Sequence, residues 1–229
     1  MKKISTLITL VTVLSVPTFS FASDSIWLEQ ARALTEPTAL YAYDVDYDSD
    51  ELRARASYDP RRAKGNRLTV IEPSADMRPG DFDKGVREFE AELDEGFWCN
   101  AMGKEIPEDA KLVEETGSTV TYTFKPENDD ENASSTDKKF AEKLIGHITL
   151  DKNDGAVLGL RLTREGKFKP AAFITIRSFE NIITCARTKP DGPTYIMSSE
   201  TRVSGQAMFK DFKQYEIRKL SNLQLVEAE

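Results

Sequence analysis

The sequence predicts an α+β protein that is mainly β, a curved antiparallel sheet of roughly ten strands with a helix packed over its concave face. Apolar residues alternate at period two in many short runs separated by turn residues, which is typical of an antiparallel meander. Residues 81–95 instead repeat their apolar side chains at helical spacing. A sheet with one apolar face must bury that face, so we expect this helix to lie over it.

Before that helix, the sequence predicts a shorter helix and three strands. Residues 25–34 form the helix, with a Ser or Asp available as its N-cap. Residues 41–47 alternate aromatic and acidic side chains, residues 52–58 alternate apolar and basic ones, and residues 68–71 complete the third strand. The basic side chains of the second strand can pair with the acidic ones of the first.

The predicted helix of residues 81–95 has a single apolar stripe. Its members are spaced by three or four residues: Phe82, Val86, Phe89, Leu93 and Phe97. Acidic residues occupy the first turn, and Gly96 stands where a C-cap glycine belongs. We expect the stripe to face the sheet and the helix to act as a lid.

After the helix, residues 119–124 predict a strand, and residues 127–139 predict a polar surface loop that ends in a short capped helix. Residues 144–179 predict the meander, with turns at Asn153-Asp154-Gly155 and at Gly166 and Pro170. The side chains that alternate in it include Ile148, Leu150, Ala156, Leu158, Leu160, Leu162, Phe173, Thr175, Arg177 and Phe179.

The remaining chain continues the strand pattern. Residues 182–186 and 195–201 flank a turn at 189–193. Gly205 separates the second of these runs from Met208-Phe209, and Phe212, Tyr215 and Ile217 carry a last long strand. No linker or fixed-period repeat divides the chain, so one domain is predicted over residues 23–229.

The first 22 residues predict a secretory signal peptide. Two lysines precede a short apolar stretch, and small residues lead to a cleavage point after Ala22. The alternative is an uncleaved membrane anchor, for which the stretch is short. A cleaved signal predicts a periplasmic protein with no membrane span after cleavage.

Charge and residue types limit the chemistry. The net charge is −8, which disfavours nucleic acid as a partner. The single histidine, His147, is out of phase with Ile148 and Leu150 and is expected on the opposite face, and the sequence has no Gly-x-Ser-x-Gly motif. We therefore predict no catalytic residues, no metal and no cofactor, although the abundance of Asp and Glu leaves a hydrolase with paired carboxylates open.

Two cysteines, Cys99 and Cys185, follow the signal peptide. Export would place them in an oxidising compartment, where a disulfide between them is favoured. The alternative is a pair of buried free thiols, which pack as small apolar side chains.

The sequence also offers a large aromatic and aliphatic surface. We predict that these side chains line the interior of the curved sheet and of the lid: Tyr41, Tyr43, Val45, Tyr47, Phe82, Val86, Phe89, Leu93, Val120, Tyr122, Phe124, Leu158, Leu160 and Phe173. Such an interior is either filled as a core or hollow enough for an apolar ligand.

The layout resembles the periplasmic lipoprotein-carrier superfamily, the carriers of outer-membrane lipoprotein localisation and their relatives. The resemblance rests on the signal peptide, short helix and strand pair up to Ile71, on residues 146–162 with Lys169-Pro170 and Phe173, and on residues 199–212. It implies an unclosed β-barrel plugged by helices, with an apolar interior that takes up acyl chains.

The expected function is therefore an exported protein that binds or carries an apolar, acyl-chain ligand without catalysis. The expected partners are a lipid or lipoprotein acyl chain, or an envelope protein. The alternative function is a structural or interaction module of the envelope with a filled core.

Overall fold

The computed structural model describes residues 26–77, 80, 82–94, 96–126, 134–164 and 166–226. The predicted signal peptide and residues 127–133 of the predicted loop lie outside these ranges. The helices are α1 (Ile26–Ala33), α2 (Phe82–Asp94), α3 (Asn100–Lys104) and α4 (Ser135–Ala141). The strands are β1 (Leu40–Ser49), β2 (Arg53–Tyr58), β3 (Leu68–Glu72), β4 (Lys111–Glu115), β5 (Thr119–Phe124), β6 (Leu144–Asp151), β7 (Val157–Arg164), β8 (Phe168–Ala171), β9 (Ile174–Arg187), β10 (Thr194–Ala207) and β11 (Lys210–Val226).

All of these strands belong to one antiparallel sheet. Its order is β3-β2-β1-β11-β10-β9-β7-β6-β5-β4, and β8 pairs with the start of β9. The two terminal strands of this order, β3 and β4, do not pair with each other, so the sheet is not closed. The predicted fold class, a mainly β α+β protein with an open antiparallel sheet, is confirmed.

One face of the sheet carries both hydrophobic cores. Direct strand partners share a face, and one row of partners crosses the sheet from β5 to β2: Tyr122, Ile148, Leu160, Ile183, Ser199, Arg218, Tyr47 and Ala54. The first core packs α1 and the α3 region on β5, β6 and β7: Leu28, Ala31, Cys99, Ile106, Val120, Tyr122, Ile148, Leu150, Val157 and Cys185. The second packs α2 on β1, β2, β3 and β11: Tyr43, Val45, Ala56, Tyr58, Leu68 and Leu220.

The charged face of β1 and β2 lies on the other side. Pairing of Arg53 and Arg55 with Asp44 and Asp46 was predicted, but the register sets Asp46 opposite Arg55 and Asp48 opposite Arg53, and Asp44 lies opposite Ser57. The ion pairs formed are Arg53–Asp48 and Arg55–Glu72, each at 3.0 Å between nitrogen and oxygen. Because these side chains are exposed, the pairs contribute little stability.

The predicted disulfide between Cys99 and Cys185 is confirmed. The segment that leads to Cys99 lies beside the start of β10. Ile196 donates a backbone hydrogen bond to Phe97, and Cys99 donates one to Thr194, at 2.8 and 3.0 Å. The first residue of β10 that pairs with β11 is Ser198. Before that residue, the segment that leads to Cys99 lies beside β10 instead of β11, and Trp98 pairs with Tyr195.

The structure corrects the phase of one predicted strand. The alternation placed Ala156, Leu158 and Leu160 on one face. Residues 149 and 150 of β6 pair with Gly159 and Val157, so Leu158 is the extra residue of a β-bulge. The bulge shifts the alternation by one position, and Val157 is fully buried in the first core instead of Leu158.

Two turns also differ from the prediction. Phe173 lies in the turn between β8 and β9 rather than within a strand. Met208 and Phe209 form the turn between β10 and β11, whereas Gly205, where a break was predicted, lies inside β10 at a bulge. The elements α3 and β4 were not predicted from the sequence. Pro170 is accommodated because β8 is short and, among the described strands, pairs with β9 alone.

Candidate functional site

The candidate site is a groove between α2 and the sheet, which we call the α2 groove. Its volume is about 510 Å³. Aliphatic and aromatic side chains from β1, β2, β3 and α2 form its walls: Val45, Tyr47, Leu52, Ala54, Ala56, Leu68, Val70, Phe82, Val86 and Phe89. Charged and polar side chains complete the lining: Ser49, Glu51, Glu88, Glu92 and Arg218.

The apolar stripe of α2 faces the sheet, as its spacing predicted. Phe82 is buried, whereas Val86, Phe89 and Leu93 are only half-buried although they pack against the second core. Val86 and Phe89 stay partly accessible because the groove separates them from the small side chains of Ala54 and Ala56.

A buried carboxylate holds α2 to the loop between β2 and β3. Glu90 is only 3% exposed. The backbone N–H of Gly65 donates to its Oε1 at 2.5 Å, and the N–H of Leu68 donates to its Oε2 at 3.0 Å. These two bonds offset the free-energy cost of removing the carboxylate from water.

A second carboxylate, Asp94, closes the C-terminal end of α2 against the sheet. The Tyr58 hydroxyl donates to Asp94 Oδ1 at 2.8 Å, and Arg67 Nη1 donates to the same oxygen at 2.9 Å. Burial acts to raise the pKa of Asp94, but the hydrogen bonds from Arg67 and Tyr58 outweigh it, so this pKa lies below its usual value. Burial and then the bond to Asp94 raise the pKa of Tyr58 to about 12.

This arrangement predicts an acid-sensitive attachment of α2. A carboxylate with a lowered folded-state pKa stabilises the protein fully above its unfolded-state pKa, about 4, and loses that contribution as the pH falls through the folded value. We expect Asp94→Asn to lower the free energy of unfolding at pH 7. Between pH 5 and pH 3 the variant should lose about 1 kcal/mol less of this free energy than the unaltered protein loses. Urea unfolding at pH 7, 5 and 3 measures this.

Glu88→Gln on the same helix is the control, since Glu88 pairs with exposed Lys84 and an exposed pair contributes little. An Asp94→Asn protein that loses as much stability in acid as the unaltered protein would contradict the assignment.

One cation stands at the mouth of the groove. Arg218 lies over the ring of Phe89, 4.8 Å from its centroid. Its guanidinium donates to Glu92 on α2 and to Glu216 on the same strand, each at 2.6 Å. Tyr47 also donates to Glu216, at 3.2 Å. The apolar walls of the groove therefore end in a network of charged and hydroxyl groups.

A second cavity lies beside α3, with a volume of about 720 Å³. Apolar side chains of β5, β6 and β7 form one wall, namely Phe124, Ile148, Leu160 and Leu162. The other wall comes from α1, α3 and the segment after α3: Arg32, Met102, Lys104, Glu105, Ile106, Pro107, Glu108 and Asp109. Its charged wall makes it the less apolar of the two cavities.

A polar strip separates the two cavities on the sheet. Asn181 donates to Thr201 at 2.9 Å, and Ser199, Glu216 and Arg218 continue the strip across β10 and β11. The predicted interior is thus two apolar regions rather than one continuous lining.

The predicted lining residues are distributed over these regions. The α2 groove contains Val45, Tyr47, Phe82, Val86 and Phe89, and the cavity beside α3 contains Phe124 and Leu160. Packed core positions are occupied by Tyr41, Tyr43, Leu93, Val120 and Tyr122. Leu158 and Phe173 line neither cavity.

Tyr41 and Tyr43 belong to an aromatic cluster at the C-terminal end of α2. The ring of Phe97 lies 4.9 Å from Tyr43 and 4.7 Å from Trp98, and Tyr43 stacks on Tyr58 at 4.9 Å. Burial raises the pKa of Tyr43. This cluster fills the space that the aromatic face of β1 would otherwise leave open.

Sequence reasoning missed the opposite wall of the groove and its cation. Ala54, Ala56, Leu68 and Val70 lie on strands that were predicted, but small side chains in a strand carry no signal of a cavity. Arg218 lies 173 residues from Val45 in sequence, and the pairing of β1 with β11 brings them together.

His147 lies in β6 on the face opposite Ile148 and Leu150, as its phase predicted. Over the residues that the structure describes, no cluster of three or more His, Cys, Asp or Glu side chains is placed to hold a metal ion. No helix within the described ranges has the length and apolar character needed to cross a membrane.

No family model and no curated protein matches the chain. Among solved structures, it is similar to a MucA/MucB complex of Pseudomonas aeruginosa, with 10% identity over 90% of this chain and 100% of that chain and a TM-score of 0.21. A structure of MucB in complex with MucA(peri) gives 10% identity, the same coverage and a TM-score of 0.22. At these TM-scores the likeness does not bear on the function of this chain.

Proposed function

We propose that this chain is an exported periplasmic protein, similar to the lipoprotein-carrier superfamily, that binds or carries an acyl-chain ligand in the α2 groove without catalysis. The observation that supports the proposal best is the half-buried apolar stripe of α2 over a groove of about 510 Å³. Binding sites for small apolar molecules occupy about 300 to 1,000 Å³ and have mostly apolar walls with a few polar groups.

The charged mouth suits a ligand with an apolar tail and a polar head. The tail would replace water along Val45, Ala54, Phe82 and Val86, which provides the hydrophobic contribution. The head would lie near Arg218, whose partners Glu92 and Glu216 are already in place. The Cys99–Cys185 disulfide supports export, because such bonds persist in oxidising compartments.

Binding can be tested on protein purified from the periplasmic fraction. Native mass spectrometry and lipid extraction would identify a co-purifying ligand, and a fluorescent fatty acid would report occupancy of an empty groove. The expected result is a bound acyl chain or saturable probe binding. Protein that is reproducibly empty and does not bind the probe would overturn the proposal.

Filling the groove should weaken binding without disturbing the sheet. Ala54 lies on the groove face of β2, and Ala54→Trp is expected to weaken probe binding about tenfold or more because the indole occupies the ligand volume. Ser57→Trp, on the opposite face of the same strand, should bind the probe normally. Equal affinities for the two variants, with both folded by circular dichroism, would place the ligand elsewhere.

A second candidate function is an interaction module of the cell envelope. The observation that favours it is the filled first core, where Val120, Tyr122, Ile148 and Leu150 are fully buried under α1. Stoichiometric recovery of an envelope protein with ligand-free protein would support this function over the first.

A further inference from the structure

Two turns place large apolar side chains in solvent at one end of the sheet. Phe173 in the β8–β9 turn is 65% exposed, and Met208 and Phe209 in the β10–β11 turn are 76% and 85% exposed. The rings of Phe173 and Phe209 lie 6.5 Å apart, and the N–H of Met208 donates to the carbonyl of Phe173 at 2.9 Å. With the adjacent Ile174 we call these four residues the apolar tip.

Turn chemistry does not explain these residues. Ala207 pairs with Lys210, so Met208 and Phe209 are the two central residues of a tight hairpin. Both have positive φ, 47° and 68°. Such turns strongly favour Asn-Gly, and bulky residues adopt positive φ at an energetic cost. Local stability therefore opposes these side chains, which points to a role outside the folded domain.

The surroundings of the apolar tip are basic although the chain is acidic overall. Lys169, Lys210 and Lys213 lie on β8 and β11, which adjoin the two turns, and Lys167 directly precedes β8. Arg177 pairs with Asp211 at 2.9 Å, and this aspartate is the single acidic residue within residues 166–177 and 204–213. The net charge of the whole chain is −8.

We propose that the apolar tip inserts into the interfacial region of an anionic phospholipid bilayer. Aromatic and aliphatic side chains enter the boundary between headgroups and acyl chains, and flanking lysines are attracted to anionic lipids. The apolar tip combines both features at the end of hairpins whose three long strands have 14, 14 and 17 residues. This proposal does not depend on the α2 groove.

Vesicle sedimentation tests the proposal on protein purified from the periplasmic fraction. Vesicles of phosphatidylglycerol and phosphatidylcholine should bind the protein, less so as salt rises, and vesicles of phosphatidylcholine alone should bind it weakly. The affinity of the double variant Met208→Asn/Phe209→Gly for the anionic vesicles should be lower by about tenfold or by a larger factor. Its melting temperature should equal or exceed that of the unaltered protein, because Asn-Gly suits the turn.

The charge variant Lys210→Glu/Lys213→Glu should lose binding to anionic vesicles. Val113→Ser, at an exposed apolar position on β4 far along the sheet from the turns, is the matched control and should bind normally. Phe209→Trp should show a blue shift of its fluorescence on anionic vesicles.

Failure of the unaltered protein to sediment with anionic vesicles would overturn the proposal, as would normal binding by the Met208→Asn/Phe209→Gly variant. The first of these results would leave the apolar tip as a contact for a protein partner.

Discussion

Replacing both Cys99 and Cys185 by alanine is expected to lower the free energy of unfolding by about 4 kcal/mol. The bond joins residues 86 positions apart, and a cross-link over a loop of that length restricts the unfolded chain strongly. In a domain of this size the corresponding fall in melting temperature is roughly 10 °C. Urea unfolding and calorimetry measure both quantities.

The reduced form of the unaltered protein is the matched comparison, since it loses the bond and keeps both sulfur atoms. It should lie close to the double alanine variant in stability. Unfolding midpoints that are the same for the oxidised protein, the reduced protein and the double variant would show that the bond contributes nothing to stability.

Arg187→Met should cause the next largest loss, about 2 to 3 kcal/mol. The half-buried guanidinium donates to Asp151 at 2.9 Å, to both carboxylate oxygens of Asp154 at 3.0 Å and to the carbonyl of Gly192 at 3.0 Å. Methionine keeps the volume but leaves two neighbouring carboxylates without their cation. The hydrogen bond to Asp154 raises the pKa of Arg187, in keeping with a strongly held cation.

A double variant separates the charge effect from packing. Arg187→Met/Asp154→Asn should recover part of the loss, because one of the two stranded carboxylates is removed. Arg187→Lys keeps the charge without the forked geometry, so its free energy of unfolding should lie between those of the unaltered protein and Arg187→Met. Additive effects of the Arg187 and Asp154 changes in chemical unfolding would contradict a direct pair.

Local patterns predicted most elements of the fold. The spacing of Phe82, Val86 and Phe89 identified α2, and period-two alternation identified most strands, because both patterns follow from the burial of one face. The turn at Asn153-Asp154-Gly155 is present, with φ of 74° at Gly155. There α1 approaches so closely that a Cβ on this glycine would lie 2.6 Å from Gln30 Cβ.

Features that depend on distant partners were not predictable in this way. The bulge at Leu158 follows from how β7 pairs with β6, and nothing in its own alternation indicates it. The Met208-Phe209 turn opposes local preference, so the sequence pattern placed the break at Gly205 instead. The roles of Glu90 and Arg218 were likewise not predictable, because their hydrogen-bond partners are backbone and carboxylate groups far away in sequence.

The aromatic segment that follows α2 has a mechanical consequence. Just beyond the helix, Phe97 and Trp98 are packed among tyrosines, and Cys99 is covalently fixed to β9. Between helix and anchor stands Gly96, with φ of 118°, a conformation that suits glycine. The C-terminal end of α2 is therefore tethered to β9 through a covalent bond three residues beyond Gly96, and loss of that bond would loosen the attachment of the helix to the sheet.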